Sequence, residues 1–207
     1  MKQPSKRLKK ARIAINQKSY SLDEAIGLVK KSATAKFDET IEMHIHLGID
    51  PKKSDQTVRG IMSLPHGTGK KIRIAVFTES SEAEAKSAGA DIIGGKTLVE
   101  EISNGGKLDF DNAIATPDFM RELSRIAKNL GTKGLMPSPK NGTVTTDIKG
   151  IITKLKSGQI SFRNDDSGTI HQSIGKASFN DAKLKENARV FLQEIKQLRP
   201  KGIKGTY

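Results

Sequence analysis

Residues 72–131 read IRIAVFTESSEAEAKSAGADIIGGKTLVEEISNGGKLDFDNAIATPDFMRELSRIAKNLG, and this stretch decides the fold. Ile72 to Phe77 is a strand of the buried type. Ser81 and Glu84 have the spacing of a capping box at the start of a short helix. Ala90 to Ile93 reads as a second strand, and Thr97 to Ile102 as a helix ending at Asn104-Gly105. Asn112 to Ala115 is a third strand. Thr116 then caps a helix with Pro117 at its first position. Phe119, Leu123, Ile126, Ala127 and Leu130 fall on one face of that helix, and Gly131 is expected to stop it. Strands alternating with helices predict a mostly parallel sheet covered by helices, an α/β unit.

The flanks are patterned differently. Ser21 and Glu24 form a first capping box, followed by Leu22, Ala25, Ile26 and Val29 at helical spacing. Thr40 to Leu47 alternates: Ile41, Met43, Ile45 and Leu47 share one face, and Glu42, His44 and His46 the other. That is a half-buried strand with one face on a core and one in solvent or on a ligand. Asp50-Pro51 turns the chain. The segment His66-Gly67-Thr68-Gly69-Lys70 reads as a joint, after which the pattern changes. Beyond residue 131, Thr132 to Gly142 is a Gly/Pro/Lys loop. A helix follows over Asp147 to Gly158, with Ile148, Ile151, Ile152 and Leu155 inward. Ile160 and Phe162 alternate with Ser161 and Arg163, and the turn Asp165-Asp166-Ser167-Gly168 leads to a partner strand, Thr169 to Ser173. A helix from Asp181 to Leu198 puts Leu184, Ala188, Phe191, Leu192, Ile195 and Leu198 near one side. Met1 to Gln17 is a basic arm or short helix.

The formal charge of +13 on 207 residues attracts polyanions, of which nucleic acid is the commonest. The excess sits at the two ends. Met1 to Lys36 holds ten Lys/Arg against two acids, and Lys183 to Tyr207 holds seven against two, so the stretch between them is neutral. If the ends meet, they form one basic face. The chain has no cysteine, which excludes disulfides, thiolate zinc sites and cysteine nucleophiles. No apolar run approaches the roughly 20 residues of a membrane helix. The basic start lacks the apolar stretch of a secretory signal.

Motifs of catalysis are weak. Gly67-Thr68-Gly69-Lys70 resembles part of a phosphate loop, but that loop needs Gly at Leu64 and Ser or Thr at Lys71, and it must follow a strand and open a helix. A turn or hinge fits better. His44 and His46 on one strand face could approach a metal, but no further ligands accompany them by pattern, and exposed histidines beside a polyanion are the better reading. Asp165 and Asp166 sit in a turn signal, where Asp serves the backbone. Lys133, Pro137, Pro139 and Lys140 make a stiff basic loop, either a phosphate contact or a solvated connector. No metal and no cofactor is expected.

Several strings are peculiar enough to carry a resemblance: AKFDETIEMHIHLGIDPKKSDQTVRG at 35–60, LPHGTGK at 64–70, AGAD at 88–91, ATPDFM at 115–120, LGTKGLMPSPKNGTV at 130–144, KSGQISFRND at 156–165, IHQSIGK at 170–176 and KGTY at 204–207. In this order they are similar to the bacterial L-one ribosomal protein family, from about Ser21 to Tyr207. The resemblance implies an α/β fold class: an α+β RNA-binding domain, residues 1–66 plus 158–207, carrying an inserted three-layer α/β domain of Rossmann-like topology at 67–157. Gly67, Gly69 and Gly158 would act as the hinge. The partners implied are the large-subunit rRNA of the mobile exit-site stalk, exit-site tRNA and the messenger of the protein's own operon, which it would repress. No membrane is implied. The expected location is the cytoplasmic ribosome, an organellar one being left open.

Carried over by motif, the RNA surface would use Lys36, Phe37, Glu39 and Thr40, then Arg163 and Asp165, then His171, Gly175 and Lys176. Lys36, Arg163 and Lys176 would neutralise phosphates. Phe37 would pack on a ribose or base, or else in the core. Glu39, Thr40 and Asp165 would bond 2′-hydroxyls or base edges. Gly175 would serve either the RNA or a backbone turn. In two places the chain departs from the family: Ser138 stands where Asn is usual, and the family continues past the Lys204–Tyr207 string with a final strand and a Thr-Met-Gly loop that touches RNA. Two other functions stay open on sequence: a translational repressor acting away from the ribosome, and a nucleotide-binding enzyme built on the central α/β unit. Against the enzyme, no glycine-rich loop follows the strand that ends at Phe77.

Overall fold

The structure is a computed structural model that describes residues 6–15, 19–198 and 200. The basic segment 201–207, with its Lys-Gly-Thr-Tyr string, lies outside the described residues, as do residues 1–5 and 16–18. In chain order the elements are α1 (Lys6–Ala14), α2 (Leu22–Ser32), β1 (Thr40–His46), β2 (Arg59–Ser63), β3 (Ile74–Phe77), α3 (Glu82–Ser87), β4 (Ile92–Gly94), α4 (Lys96–Ser103), β5 (Asn112–Ala115), α5 (Met120–Leu123), α6 (Ala127–Thr132), α7 (Ile148–Lys156), β6 (Gln159–Arg163), β7 (Thr169–Lys176) and α8 (Asp181–Gln197). Contacts divide the chain into two compact units: Met1–Arg59, Leu64–Gly69 and Phe162–Tyr207 form one, and Gly60–Ser63 and Lys70–Ser161 the other.

The second unit is built on a parallel sheet of order β4-β3-β5. Residue alternation along its strands gives the sheet two apolar faces. Ala75, Phe77, Ala113 and Ala115 turn to one side, where they meet Val99 and Ile102 of α4 and Phe119, Leu123, Ile126 and Leu130 of the 117–132 stretch. Ile74, Val76 and Ile114 turn to the other, against Ala85 of α3 and Ile148, Ile151, Ile152 and Leu155 of α7. Helices therefore cover both faces, giving the three-layer α/β arrangement expected. Phe77 anchors the first core, with Phe110 and Phe119 at ring-centroid distances of 6.1 and 6.5 Å.

Two local expectations fail here. The Ser81 capping box does not form: Ser81 has φ −118° and ψ 31°, outside the extended region a cap needs, and its side chain caps nothing. Its N–H goes instead to Thr78 Oγ1 at 3.2 Å. Nor does Gly131 stop its helix. The stretch 117–132 alternates short 3₁₀ and α turns, and the stop is Gly134, left-handed at φ 68°. Leu135 N–H bonds Leu130 O at 2.9 Å and Gly134 N–H bonds Gly131 O at 3.0 Å, the paired bonds of a Schellman ending.

In the first unit β1 and β7 form an antiparallel ribbon. Its inner face, with Ile41, Leu47, Ile170 and Ile174 buried, belongs to a core shared with Ile26 of α2 and Leu184, Ala188, Phe191 and Ile195 of α8. The Ser21 and Glu24 capping box forms in full at the start of α2. Lys30 Nζ donates to Phe179 O at 2.7 Å and pairs with Asp181 at 2.5 Å, and Lys185 pairs with Asp23 at 2.5 Å, so two ion pairs join α2 to the start of α8. The turn at Asp165–Gly168 does not close a hairpin of β6 with β7. β7 pairs with β1 and β6 with β2, while across the turn Asn164 bridges to Ile170 and Asp165 N–H bonds Thr169 O at 2.8 Å. Asn164 diverts the chain: its N–H bonds Val58 O at 3.0 Å, and its Oδ1 accepts from Val58 N at 2.8 Å.

Candidate nucleic-acid interface

The outer face of the ribbon is polar from end to end. In register, Thr40 faces Lys176, Glu42 faces Ser173, His44 faces His171 and His46 faces Thr169. A bulge between Ile41 and Glu42 shifts the ladder near Gly175. The fold thus brings Thr40, His171, Gly175 and Lys176 onto one ribbon, with Asp165 at its end.

At the Thr40 end, Lys176 Nζ donates to Thr40 Oγ1 at 2.8 Å and to Asp38 O at 3.5 Å. Ser178 donates to Asp38 through both N–H and Oγ, and these bonds hold the Asp38 carboxyl below its ordinary range. Glu39 Oε1 accepts from Ala35 N at 2.6 Å, and Arg7 of α1 stands 3.7 Å from its other oxygen. Lys36 and Phe37 lie in the bend that these contacts fix. Phe37 is 73% exposed, so it packs in no core. Lys36 is exposed and has no ion-pair partner among the described residues. A solvent-facing ring beside an exposed ammonium has the chemistry to stack on a planar ring and to neutralise an anion.

At the other end Asp165 is the hub of the turn. Its Oδ1 accepts from Thr169 N (2.8 Å), Ser167 Oγ (2.7 Å) and Ser167 N (2.9 Å), and its Oδ2 accepts from His171 Nε2 (3.1 Å). These bonds, that from Thr169 foremost, push the carboxyl far below the usual carboxylate range. Asp166 in the same turn is exposed. His44 and His171 touch through their Nδ1 atoms, edge to face with centroids 4.6 Å apart. Arg163 is exposed and unpaired among the described residues, but it stands on β6 rather than on the ribbon.

Gly175 is buried, and packing explains it. A Cβ there would lie 2.7 Å from Leu184 Cδ2 and 2.9 Å from Phe179 Cδ2. The three glycines expected at a hinge all have positive φ: 60° at Gly67, 73° at Gly69 and 102° at Gly158. Sequence reasoning missed Asp38, Ser178 and, above all, Asn187. Its buried amide donates to Gly67 O at 2.9 Å and to Ile174 O at 2.8 Å, and its Oδ1 accepts from His66 N at 3.1 Å. Ser138, at the departure from the family pattern, caps the 3₁₀ turn 139–141 by accepting from Lys140 N at 3.2 Å. Asn would do the same.

Among the described residues no group of three or more His, Asp or Glu could hold a metal ion. No described helix is long and apolar enough to cross a membrane. No glycine-rich loop follows β3, and α3 has only six residues with an uncapped start, so the phosphate cradle of a nucleotide-binding enzyme does not form there.

The sequence matches the Ribosomal protein L1p/L10e family over residues 29–207. It is 49% identical over 209 aligned positions to the large ribosomal subunit protein uL1 of Fervidobacterium nodosum, covering all of this chain and 89% of that relative. On these matches the chain belongs to the ribosomal protein L1p/L10e family, a ribosomal constituent and not an enzyme.

Proposed function

We propose that this chain is a structural constituent of the large ribosomal subunit that holds the rRNA of the mobile exit-site stalk on the β1–β7 ribbon. From there it assists release of exit-site tRNA. By the same surface it binds a stalk-like fold in its own operon messenger and represses translation. The supporting observation is the register that sets Thr40 against Lys176 and His44 against His171, with exposed Lys36 and Phe37 leading into the ribbon. Such a strip offers cations for phosphate, a free ring for stacking and many groups for 2′-hydroxyls, the means by which folded RNA is recognised.

In this reading residues 1–66 with 158–207 form the RNA-binding domain, 67–157 form the inserted domain, and Gly67, Gly69 and Gly158 are the hinge. The left-handed backbone at all three glycines supports it. The test is binding of the full chain to a stalk rRNA fragment and to an unrelated hairpin over a salt series. Preference for the stalk fragment that persists at high salt is expected. Equal affinities that vanish together as salt rises would leave only the basic ends at work and refute a specific ribbon site.

A further inference from the structure

The histidines of the ribbon are not equivalent as hydrogen-bonding groups. His171 Nε2 lies 3.1 Å from Asp165 Oδ2, and a carboxylate only accepts, so that nitrogen carries the proton. Asp165 cannot swing away without losing the three donors on its other oxygen. In the neutral ring Nδ1 of His171 is then bare, and it faces Nδ1 of His44, which must be the donor. Both nitrogens of His171 are therefore taken up inside the protein. His44 differs. With its proton on Nδ1, its Nε2 is an acceptor, and the Glu42 carboxylate beside it, 3.6 Å away, accepts as well. That separation is longer than a hydrogen bond, and both side chains are about half exposed, at 55% and 50%. His46 is engaged elsewhere, its Nδ1 meeting Thr169 Oγ1 at 3.2 Å.

We infer that His44 Nε2 and Glu42 form an acceptor pair that reads a hydrogen-bond donor on the bound RNA, a ribose 2′-hydroxyl or a base amino group. His171 is the positioning residue that fixes the His44 ring and its tautomer. A phosphate, which has no donor, is not the partner of this pair. The inference rests on the reading of the ribbon as an RNA surface.

The test uses the full chain, the stalk rRNA fragment and two variants. His44→Asn keeps a donor where Nδ1 stands and has nothing at Nε2. It is expected to weaken binding about five- to tenfold, the loss of one hydrogen bond, with the log–log salt slope unchanged. His171→Asn keeps an acceptor toward His44 and is expected to cost less. Stalk fragments carrying 2′-deoxy substitutions separate the two sources. If a ribose is read, one such fragment lowers wild-type affinity and leaves the affinity of His44→Asn unchanged. If a base amino group is read, none does. Imidazole nitrogen chemical shifts of the free protein give a second readout: His44 protonated on Nδ1 and His171 on Nε2. The opposite tautomers, a larger loss in His171→Asn than in His44→Asn, or a salt slope that falls with His44→Asn would each overturn the inference. If wild-type protein does not prefer the stalk fragment while the tautomers are as stated, the RNA reading itself has failed, and the inference with it.

Discussion

Asn187 of α8 donates through Nδ2 to the carbonyl of Gly67, 120 positions earlier in the chain, at 2.9 Å. With the bonds to Ile174 O and from His66 N, one fully buried amide satisfies three backbone groups. Asn187→Ala leaves those groups unpaired in the interior. The expected loss is about 2–4 kcal/mol, read as a lower urea midpoint at unchanged slope. A loss below about 0.5 kcal/mol would mean that water takes over the bonds.

Gly175→Ala tests whether that glycine serves packing. The added methyl meets Leu184 and Phe179 at distances no real Cβ tolerates. A destabilisation of about 1–3 kcal/mol is expected, with near-normal RNA affinity for the molecules that remain folded. Normal stability combined with lost affinity would assign the glycine to the RNA instead.

Phe37→Ala should do the reverse. The ring is exposed, so stability should hold within about 0.5 kcal/mol. Binding to the stalk fragment should weaken by about 1–3 kcal/mol, the worth of one stacked base. Lys36→Ala, its neighbour, should reduce the log–log salt slope by about one, and an unchanged slope would deny it a phosphate contact.

The Asp165 carboxyl is held far below its ordinary range when folded, so its bonds contribute stability that is fully present above the unfolded carboxylate value. That contribution is lost as pH falls through the folded value. Wild type should therefore be more stable than Asp165→Asn near neutral pH. The gap should narrow as pH drops below about 4, where the unfolded carboxyl takes up its proton. Urea midpoints of both proteins across that range check it, and a gap independent of pH would show that the charge plays no part.

Local signals in the sequence are legible where the physics is local. The Ser21–Glu24 box needs residues three apart, and β1 shows its two faces in its own alternation. The Ser81–Glu84 pair had the same spacing and failed, because the backbone at Ser81 is set by Thr78 and not by its own helix. The Asp165–Gly168 turn was visible, but not that β7 leaves β6 for β1. That pairing joins strands more than 120 positions apart and leaves no local pattern. The same limit hid most of the site: Lys176 and Thr40 lie 136 positions apart, and the His44–His171 pair 127. Asn187 was invisible because a polar residue in an apolar helix stripe reads as an interruption, whereas here it is the partner of a buried connection.

The pairing of β1 with β7 also bears on how the protein is made. A ribosome delivers the chain from its N terminus, and β1 emerges long before the strand that completes its ladder. Lys70–Ser161 is continuous in sequence and holds all three strands of its own sheet, so it can fold while the rest is still being synthesised. β1 and α2 must wait, with Ile41 and Ile26 uncovered, until β7 and α8 arrive. The β1–β7 ribbon is thus a late product of translation, and a nascent chain halted before Thr169 lacks the strand that completes it.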